Sequence, residues 1–529
     1  MQYSGAVAKH RVARPLPRTI TAPAASLLDR LAESLADPLR ARRTVLWLVV
    51  AYAVVWTLYA VISRSAQDTV SDMAEMLVWA QDLAWGYPKH PPLPAYILWL
   101  WFSVFPTTQW AYLLLAILTV SIGLYLAYEL AGEWLAGEKR AAVVLLLTLV
   151  PFYNFQGMKF DQNSLLIPLW ALAMWGLVRS LKSGSVRWAI LCGAAAALAC
   201  LVKYWSAFLL LAMGFAVLAD DNRRRYLRSP APWTAAATFL VLFLPHAVWL
   251  VQNDFPPLRW AGGARRTPHS TGHWFYEAMK YALGTFGYAG AALALFAWVS
   301  RPSLAAIRDF CAPPWCDNER RRAAFLFYTP LFAPIPVAAV TKTLLISLWN
   351  APAYTLLPVM LLLSPLISLT REGLKRILAI ALLAPLVVLA VSPVVAWSRL
   401  TYGTENEGLY ARLAAEATLK AWRETTDKPL KILGGPFGLV ATAAMYIPDR
   451  PTIYSDFSTY LSPQVTPERI AREGIAIVHA SSEGHNRIKT DEITAGGAKV
   501  RRSEVTLTRR WLGFESAPRR FTIAIVPPR

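Results

Sequence analysis

Cysteine is nearly missing: the 529 residues contain four. So few build no disulfide framework. Cys192 and Cys200 fall within one apolar run, Cys311 and Cys316 within a polar loop, and none lies beyond Trp397. Charge is scarce too, at 16% of residues against 56% hydrophobic. Apolar runs at or near the ~18–20 residues that cross a bilayer recur from Val45 to about Trp397, which excludes an ordinary soluble enzyme. No apolar core of the signal-peptide kind begins near Met1, so residues 1–43, rich in Arg and Pro, read as a cytoplasmic tail. There is no GxGxxG phosphate loop and no clear internal repeat of the kind that builds many transporters. Carboxylates are few: 33 Asp and Glu stand against 53 Lys and Arg, a net charge of +20. That excess implies no nucleic-acid partner, because much of it sits in short loops between spans, where Lys and Arg accumulate on the cytoplasmic side.

What is present is a ladder of spans. The first covers 45–62 and runs outward. Segment 92–105 is apolar and aromatic but short, and reads either as a span or as a helix lying on the membrane. Loop charge decides between the two. If 92–105 does not cross, later spans fall at 109–131, 141–156, 164–179, 188–202, 205–219, 233–251, 281–299, 323–341, 345–366 and 377–397. The loops holding Lys139 and Arg140, Arg179 and Lys182, Arg223 to Arg225, Arg320 to Arg322, and Arg371 to Arg376 then share a side with Arg40, Arg42 and Arg43. The expectation is a polytopic α-helical membrane protein of about 11 spans. It has a tail at 1–43, a transmembrane domain at 44–397 with outer loops at 64–108 and 252–280, and an outer domain at 398–529. In that last part short strands near 430–434, 452–454, 475–478, 504–508 and 521–526 alternate with helices near 405–424, 436–446 and 466–473, the pattern of a small α/β domain. Gly434-Gly435-Pro436 reads there as a turn after a strand rather than a phosphate site.

The same parity gathers the remaining polar residues on the outer face. Asp68, Asp72, Glu75, Trp79 and Asp82 are four, three, four and three residues apart, one face of a helix. Lys89 and His90 follow, then Lys159 and Asp161 in the short loop MKFDQNS, Lys203 alone in a hairpin, Arg265 and Arg266 in the second outer loop, and Lys342. Each has a plain reading beside a chemical one. Asp72 is either a solvated carboxylate or a general base. Glu75 either pairs with Lys89 or holds a metal. Lys203 is either a snorkelling lysine or a phosphate contact. Arg265 and Arg266 are either a solvated loop or contacts to an anionic substrate. His273 and Glu277 sit at helical spacing, but two ligands are too few for a zinc site.

Asp72-x-x-Glu75, Gly86-Tyr87, His90-Pro91-Pro92-Leu93, Lys159-Phe160-Asp161, Leu201-Val202-Lys203, WLVQNDFP at 249–256, Trp349-Asn350-Ala351-Pro352 and the tail segment GGPFGLVATAAMYIPDRPTIY form one set. In these the chain resembles the GT-C glycosyltransferases. Within them it is similar to the protein O-mannosyltransferase and lipid A aminoarabinose transferase superfamily, and to its lipopolysaccharide galacturonosyltransferase-like members. The resemblance covers nearly the whole chain after residue 44. It implies a GT-C fold in a bacterial inner membrane, with the C-terminal domain periplasmic. It also implies transfer of a sugar from a polyprenyl-phosphate donor to a glycolipid acceptor of the lipid A type, with inversion. Asp72 would be the base, with Glu75 and Asp161 beside it. Lys89, His90, Lys203 and Lys342 would meet the donor phosphate, and Lys159, Arg265 and Arg266 would meet substrate. The family often has Lys directly before the two prolines, where this chain has His90, so Lys89 and His90 both stay open for the phosphate. No cofactor is certain, and a divalent metal ion stays open. The alternative function is transport or flipping of a lipid-linked sugar, which calls for ionisable residues in mid-span.

Overall fold

In hydrocarbon a chain must satisfy its own backbone hydrogen bonds, so apolar runs become helices. The computed structural model describes residues 26–529 except 70, 265–270, 312–316, 342, 404–405, 483–488 and 494–499; the side chains of 71–72, 261–264, 271 and 311 are also outside the description. Among the described residues seven helices are long and apolar enough to cross a bilayer: Ala41–Ser63, Gln109–Ala131, Gln162–Ser183, Pro230–Gln252, Gly272–Ser300, Asn318–Thr341 and Arg371–Tyr402. The pair Gly137–Leu147 and Pro151–Met158, bent by 74°, makes an eighth if taken as one span. The shortfall against about 11 expected spans lies where the chain breaks its own helices. Val186–Val202 and Tyr204–Leu218 are shorter helices separated by Lys203. Residues 347–362 form a 3-10 run, Ser347–Leu356, with Pro352 inside it, and then a short α-helix, Leu357–Leu362. Proline removes a helix hydrogen bond, so this apolar stretch is not one regular helix. Leu93–Val104 has 12 residues, about 18 Å of helix, too short for a ~30 Å core.

Ion pairs mark one end of the bundle. Arg42 and Arg140 both reach Glu129, at 2.6 and 3.1 Å, and Arg179 and Lys182 reach Glu133, at 2.6 and 3.4 Å. Lys182 also meets Glu319 at 3.2 Å, and the buried Arg322 pairs with Asp220. Lys375 joins Asp29 at 2.8 Å. The basic loops that the sequence assigns to a common side are thus held together there. Asp161 and Lys182 bracket one helix, Gln162–Ser183, so the Asp161 end lies about 33 Å away.

The C-terminal part is built on a five-stranded sheet in the order β2-β1-β3-β7-β4. Here β1 is Ile432–Gly435, β2 Thr452–Ser455, β3 Ile475–Ala480, β4 Arg501–Leu507 and β7 Arg519–Val526. β1 pairs in parallel with β2 and β3, while β7 runs antiparallel to β3 and β4. Two-residue strands β5 (Arg510–Trp511) and β6 (Phe514–Glu515) form a separate hairpin, too short to leave a pattern in the sequence. Helices Ala411–Arg423 and Phe437–Tyr446 supply Ala414, Ala415, Trp422, Leu439 and Val440 to the core, with Leu433, Val478 and Ile523 from the sheet. Gly435 has φ +149, and a Cβ there would lie 2.2 Å from the Val478 carbonyl oxygen. Its role is close strand packing: Gly434 and Gly435 are the last residues of β1 rather than a turn, and the helix Phe437–Tyr446 follows Pro436 directly.

The helix Ser71–Gln81 is a wedge between these two bodies. Met73, Met76 and Leu77 pack into the membrane core, whereas Ala74 and Val78 pack into the core of the C-terminal unit. Tyr112 donates to the Met73 carbonyl (2.7 Å) from one side and Thr442 to the Thr69 carbonyl (3.2 Å) from the other. The remaining face carries Glu75 and Trp79. Asp68 and Asp82 are not on this helix: Asp68 precedes it and Asp82 follows it, exposed. The break at 67–69 and the helix end at Gln81 cut short the single acidic face that the spacing suggests.

Candidate active site

Two cavities meet at the face of this wedge that carries Glu75 and Trp79. One, of about 520 Å³, opens among the helices and is lined by Glu75, Lys89, His90, Asp161, Asn163 and Lys203, with an aromatic wall of Trp205, Trp260, Trp349 and Phe437. The other, of about 370 Å³, lies toward the C-terminal unit and is lined by Trp79, Trp249, Asn253, Arg259, Ser455 and Tyr460 among others. Glu75, Lys89 and Phe437 belong to both.

Lys89 Nζ donates to Glu75 Oε1 at 2.6 Å, with both side chains more than four-fifths buried. The ammonium also lies 5.0 Å from the Phe437 ring centre and 5.6 Å from that of Trp260. Partly desolvated cation–π contacts of this kind hold a lysine without neutralising it. Of the two readings of Glu75, pairing with Lys89 is the one seen. His90 stands between Trp79 and Trp260, at ring separations of 5.8 and 6.4 Å. Lys89 and His90 therefore both reach the larger cavity.

Lys203 ends the helix Val186–Val202. Its Nζ donates to Asn163 Oδ1 at 2.8 Å and sits 4.1 Å over the Trp349 ring. With 9% exposure it is turned inward, not snorkelling outward. Asp161 caps the helix Gln162–Ser183: Oδ1 accepts the Ser164 N–H at 2.9 Å, and Ser164 Oγ accepts the Asp161 N–H at 3.0 Å. Asn163 Nδ2 donates to Asp161 Oδ2 at 3.3 Å, so Asp161, Asn163 and Lys203 form one chain along the cavity wall. Lys159 is half-buried in the same loop but outside the residues that line either cavity. Asp72 lies in the first turn of the wedge, three residues before Glu75, and its side chain is outside the described residues. Arg265, Arg266 and Lys342 lie outside them altogether. Among the described residues no group of three or more His, Cys, Asp or Glu is arranged to hold a metal ion.

Several contributors carry no charge pattern to find them by. His246, buried in the span Pro230–Gln252, lies 2.6 Å from the Trp85 carbonyl through Nδ1 and 2.7 Å from the Tyr204 hydroxyl through Nε2. A carbonyl only accepts, so Nδ1 donates to Trp85. The ring ties the outer loop to the Lys203 hairpin. Gly86 is fitted against Trp249, where a Cβ would come within 2.3 Å of the ring. Tyr87 stacks on Trp79 at 4.9 Å, and its hydroxyl lies 2.9 Å from the Trp79 carbonyl. Gly86, Tyr87, Trp249 and Trp349 were visible in the sequence only through the family motifs that contain them.

Comparison with known proteins adds to this picture. Residues 89–249 match the family described as dolichyl-phosphate-mannose-protein mannosyltransferase. The lipopolysaccharide core galacturonosyltransferase RgtB of Rhizobium johnstonii is 28% identical over 229 residues, 41% of this chain and 45% of that protein. RgtA of the same organism is 27% identical over 197 residues, 34% of this chain and 37% of its own. The chain thus spans less than half the length of these curated relatives. The crystal structure of ArnT from Cupriavidus metallidurans, bound to undecaprenyl phosphate, superposes with a TM-score of 0.58 at 14% identity, covering 90% of this chain and 98% of that one. At that identity the shared property is the fold.

Proposed function

We propose, on its likeness to the protein mannosyltransferase family over residues 89–249 and on the fold it shares with ArnT, that the chain is a GT-C enzyme that transfers a sugar from a polyprenyl-phosphate carrier to a hydroxyl of an envelope glycolipid. The observation that carries the reading is the convergence of Lys89, His90 and Lys203 with Glu75 and Asp161 on one cavity among apolar helices. A lipid phosphate leaving group gains charge as its bond to the anomeric carbon breaks, and cations already in position stabilise it. The acceptor oxygen attacks that carbon as its proton passes to a carboxylate, so polyprenyl phosphate and the glycosylated acceptor are the products. One displacement inverts the anomeric centre.

Asp72 is the base in this scheme, and Glu75 holds Lys89 until the donor phosphate draws the ammonium to itself. Lys342 completes the phosphate contacts, while Lys159, Arg265 and Arg266 recognise substrate. The larger cavity takes the donor. The smaller, walled by Trp79, Trp249 and Tyr460, takes the acceptor sugar. In the membrane, the bent pair, the two helices around Lys203 and the 347–362 stretch each cross in this reading. They bring the total to about 11 spans, with the N-terminus cytoplasmic and the residues beyond 398 periplasmic in a bacterial inner membrane.

The test is mass spectrometry of envelope glycolipids from cells with the intact gene, with a deletion, and with Asp72→Asn. Loss of the same sugar mass in both altered strains is expected. If Asp72→Asn retains the sugar while folding normally, Asp72 is not the base. Unchanged glycolipids in the deletion strain would remove the glycolipid acceptor and raise the transporter reading.

A further inference from the structure

A third cavity, of about 470 Å³, shares no lining residue with the other two. It lies where the span Ala41–Ser63 ends, where Gln109–Ala131 begins, and where the C-terminal unit rests on both. Its wall includes Thr108, Gln109, Arg412, Thr508, Arg509 and Arg510, together with Asp68.

Three features give this cavity an affinity for an anion. First, Arg509 is 5% exposed and in no ion pair among the described residues. Its Nη1 donates to the Ala66 carbonyl at 3.0 Å and its Nη2 to the Leu400 carbonyl at 3.2 Å, but its buried Nε has no partner. The Asp68 carboxylate is near enough to feel this charge but makes no direct ion pair with it, and a buried guanidinium with an unused N–H would gain from a further anion. Second, Gln109–Ala131 opens onto the cavity with Thr108 as N-cap and no side-chain cap bond. Its first N–H groups and dipole favour a negative charge there. Third, Arg412 lines the cavity from the helix Ala411–Arg423, and its backbone N–H, not its guanidinium, is what binds Asp68 (2.8 Å). Arg510 is paired with Glu515 at 2.8 Å. The single carboxylate, Asp68, has one oxygen on the Arg412 N–H and the other 3.2 Å from the Tyr446 hydroxyl. Among the described residues it makes no direct ion pair with either guanidinium, although both charges act on it.

The position says what kind of anion. The cavity sits at the ends of two membrane helices. The hairpin that follows Arg509 displays Leu512 and Phe514, 77% and 52% exposed, at its tip. Basic groups beside exposed apolar side chains are what a lipid headgroup with its acyl chains would meet. We propose that this cavity binds the phosphate of an anionic membrane lipid, Arg412 and Arg509 holding the phosphate oxygens and the lipid fastening the C-terminal unit to the spans. The site stands apart from the transfer reaction and does not depend on it.

The experiment is a thermal-shift and equilibrium-binding titration of the full-length detergent-purified protein. Three probes are used: dioctanoyl phosphatidic acid, dioctanoyl phosphatidylcholine and inorganic phosphate. Saturable stabilisation by phosphatidic acid, weaker with phosphatidylcholine and weaker still with phosphate, is expected. Losing one charge-assisted bond should weaken phosphatidic acid binding by about 10-fold in Arg412→Ala. That side chain is exposed, so the variant should fold. Arg509→Gln should weaken binding at least as much. Lys428→Ala, which removes an exposed charge that lines none of the three cavities, should leave it unchanged. Equal affinity of wild type and Arg412→Ala overturns the proposal, as does equal affinity for phosphate and phosphatidic acid, which would make this a site for a free anion.

Discussion

Lys89 and Glu75, fourteen positions apart, meet at 2.6 Å where two cavities join. The pair is the common wall between the space assigned to the donor and the space assigned to the acceptor. If the phosphate draws Lys89 away from Glu75 during the reaction, the two residues act as a unit. Lys89→Met should lower kcat with a lipid-linked donor by about 100-fold or more, the usual cost of a missing preorganised charge contact. Glu75→Gln should also lower it. The double variant should be much less damaged than the product of the two single losses, because coupled residues are non-additive. Losses that simply multiply would show that the two residues work independently.

Asp161 caps a helix and lines the larger cavity, and the two roles can be separated. Asp161→Ala removes both and should cost about 1 kcal/mol of stability through the cap. Asp161→Ser keeps a capping oxygen for the Ser164 N–H and should restore the melting temperature. If the carboxylate matters to transfer, activity stays low in Asp161→Ser. Recovery of both properties together would reduce Asp161 to a cap.

Gly86 has the Trp249 ring where a side chain would begin. Gly86→Ala should push that ring out of place, and a misfit of this kind costs roughly 1–3 kcal/mol. Trp249 stacks on His246 at 5.8 Å, and His246 bonds both Trp85 and Tyr204. The disturbance should therefore reach the Lys203 hairpin and raise KM for the donor. A normal melting temperature and normal kinetics for Gly86→Ala would mean that the contact is relaxed at no cost.

Burial raises the Asp68 carboxyl to about 6, even though the Arg412 N–H, the Tyr446 hydroxyl and the nearby Arg509 charge all pull it down. The folded value lies above the ordinary carboxylate value, so the protonated form is the one folding prefers. Any stability from this group is fully present at low pH and is lost as pH rises through about 6. At pH 7.5 the buried charge then withholds up to about 3 kcal/mol. Asp68→Asn keeps the shape and should raise the melting temperature more at pH 7.5 than at pH 5, measured in phosphate-free buffer. An equal change at both pH values would show that Asp68 titrates no differently in the folded chain.

The chain's linear pattern carried most of the apolar spans, the basic loops of one end and all five strands of the larger sheet. Each is a local property, a matter of length, composition or period. Residue types at the site were legible as well, since Glu75, Lys89, His90, Asp161 and Lys203 all reach the larger cavity. Their partners were not. Nothing in the spacing of MKFDQNS says that Asn163 would hold Lys203 from 40 positions away, or that Asp161 would spend one oxygen capping its own helix.

Asp68 makes the same point more sharply. The 3.6-residue period placed it with Glu75 on one acidic face, yet the helix begins at Ser71 and Asp68 bonds the backbone of Arg412, 344 residues on. Phe437, from the C-terminal unit, closes the site over Lys89. By itself the sequence determined a membrane-embedded helical chain with carboxylates and cations gathered at one end, because hydropathy and loop charge act along the chain. Only the tertiary structure decided which carboxylate meets which cation. Close packing and desolvation choose partners by position in space, and linear distance leaves no trace of that choice.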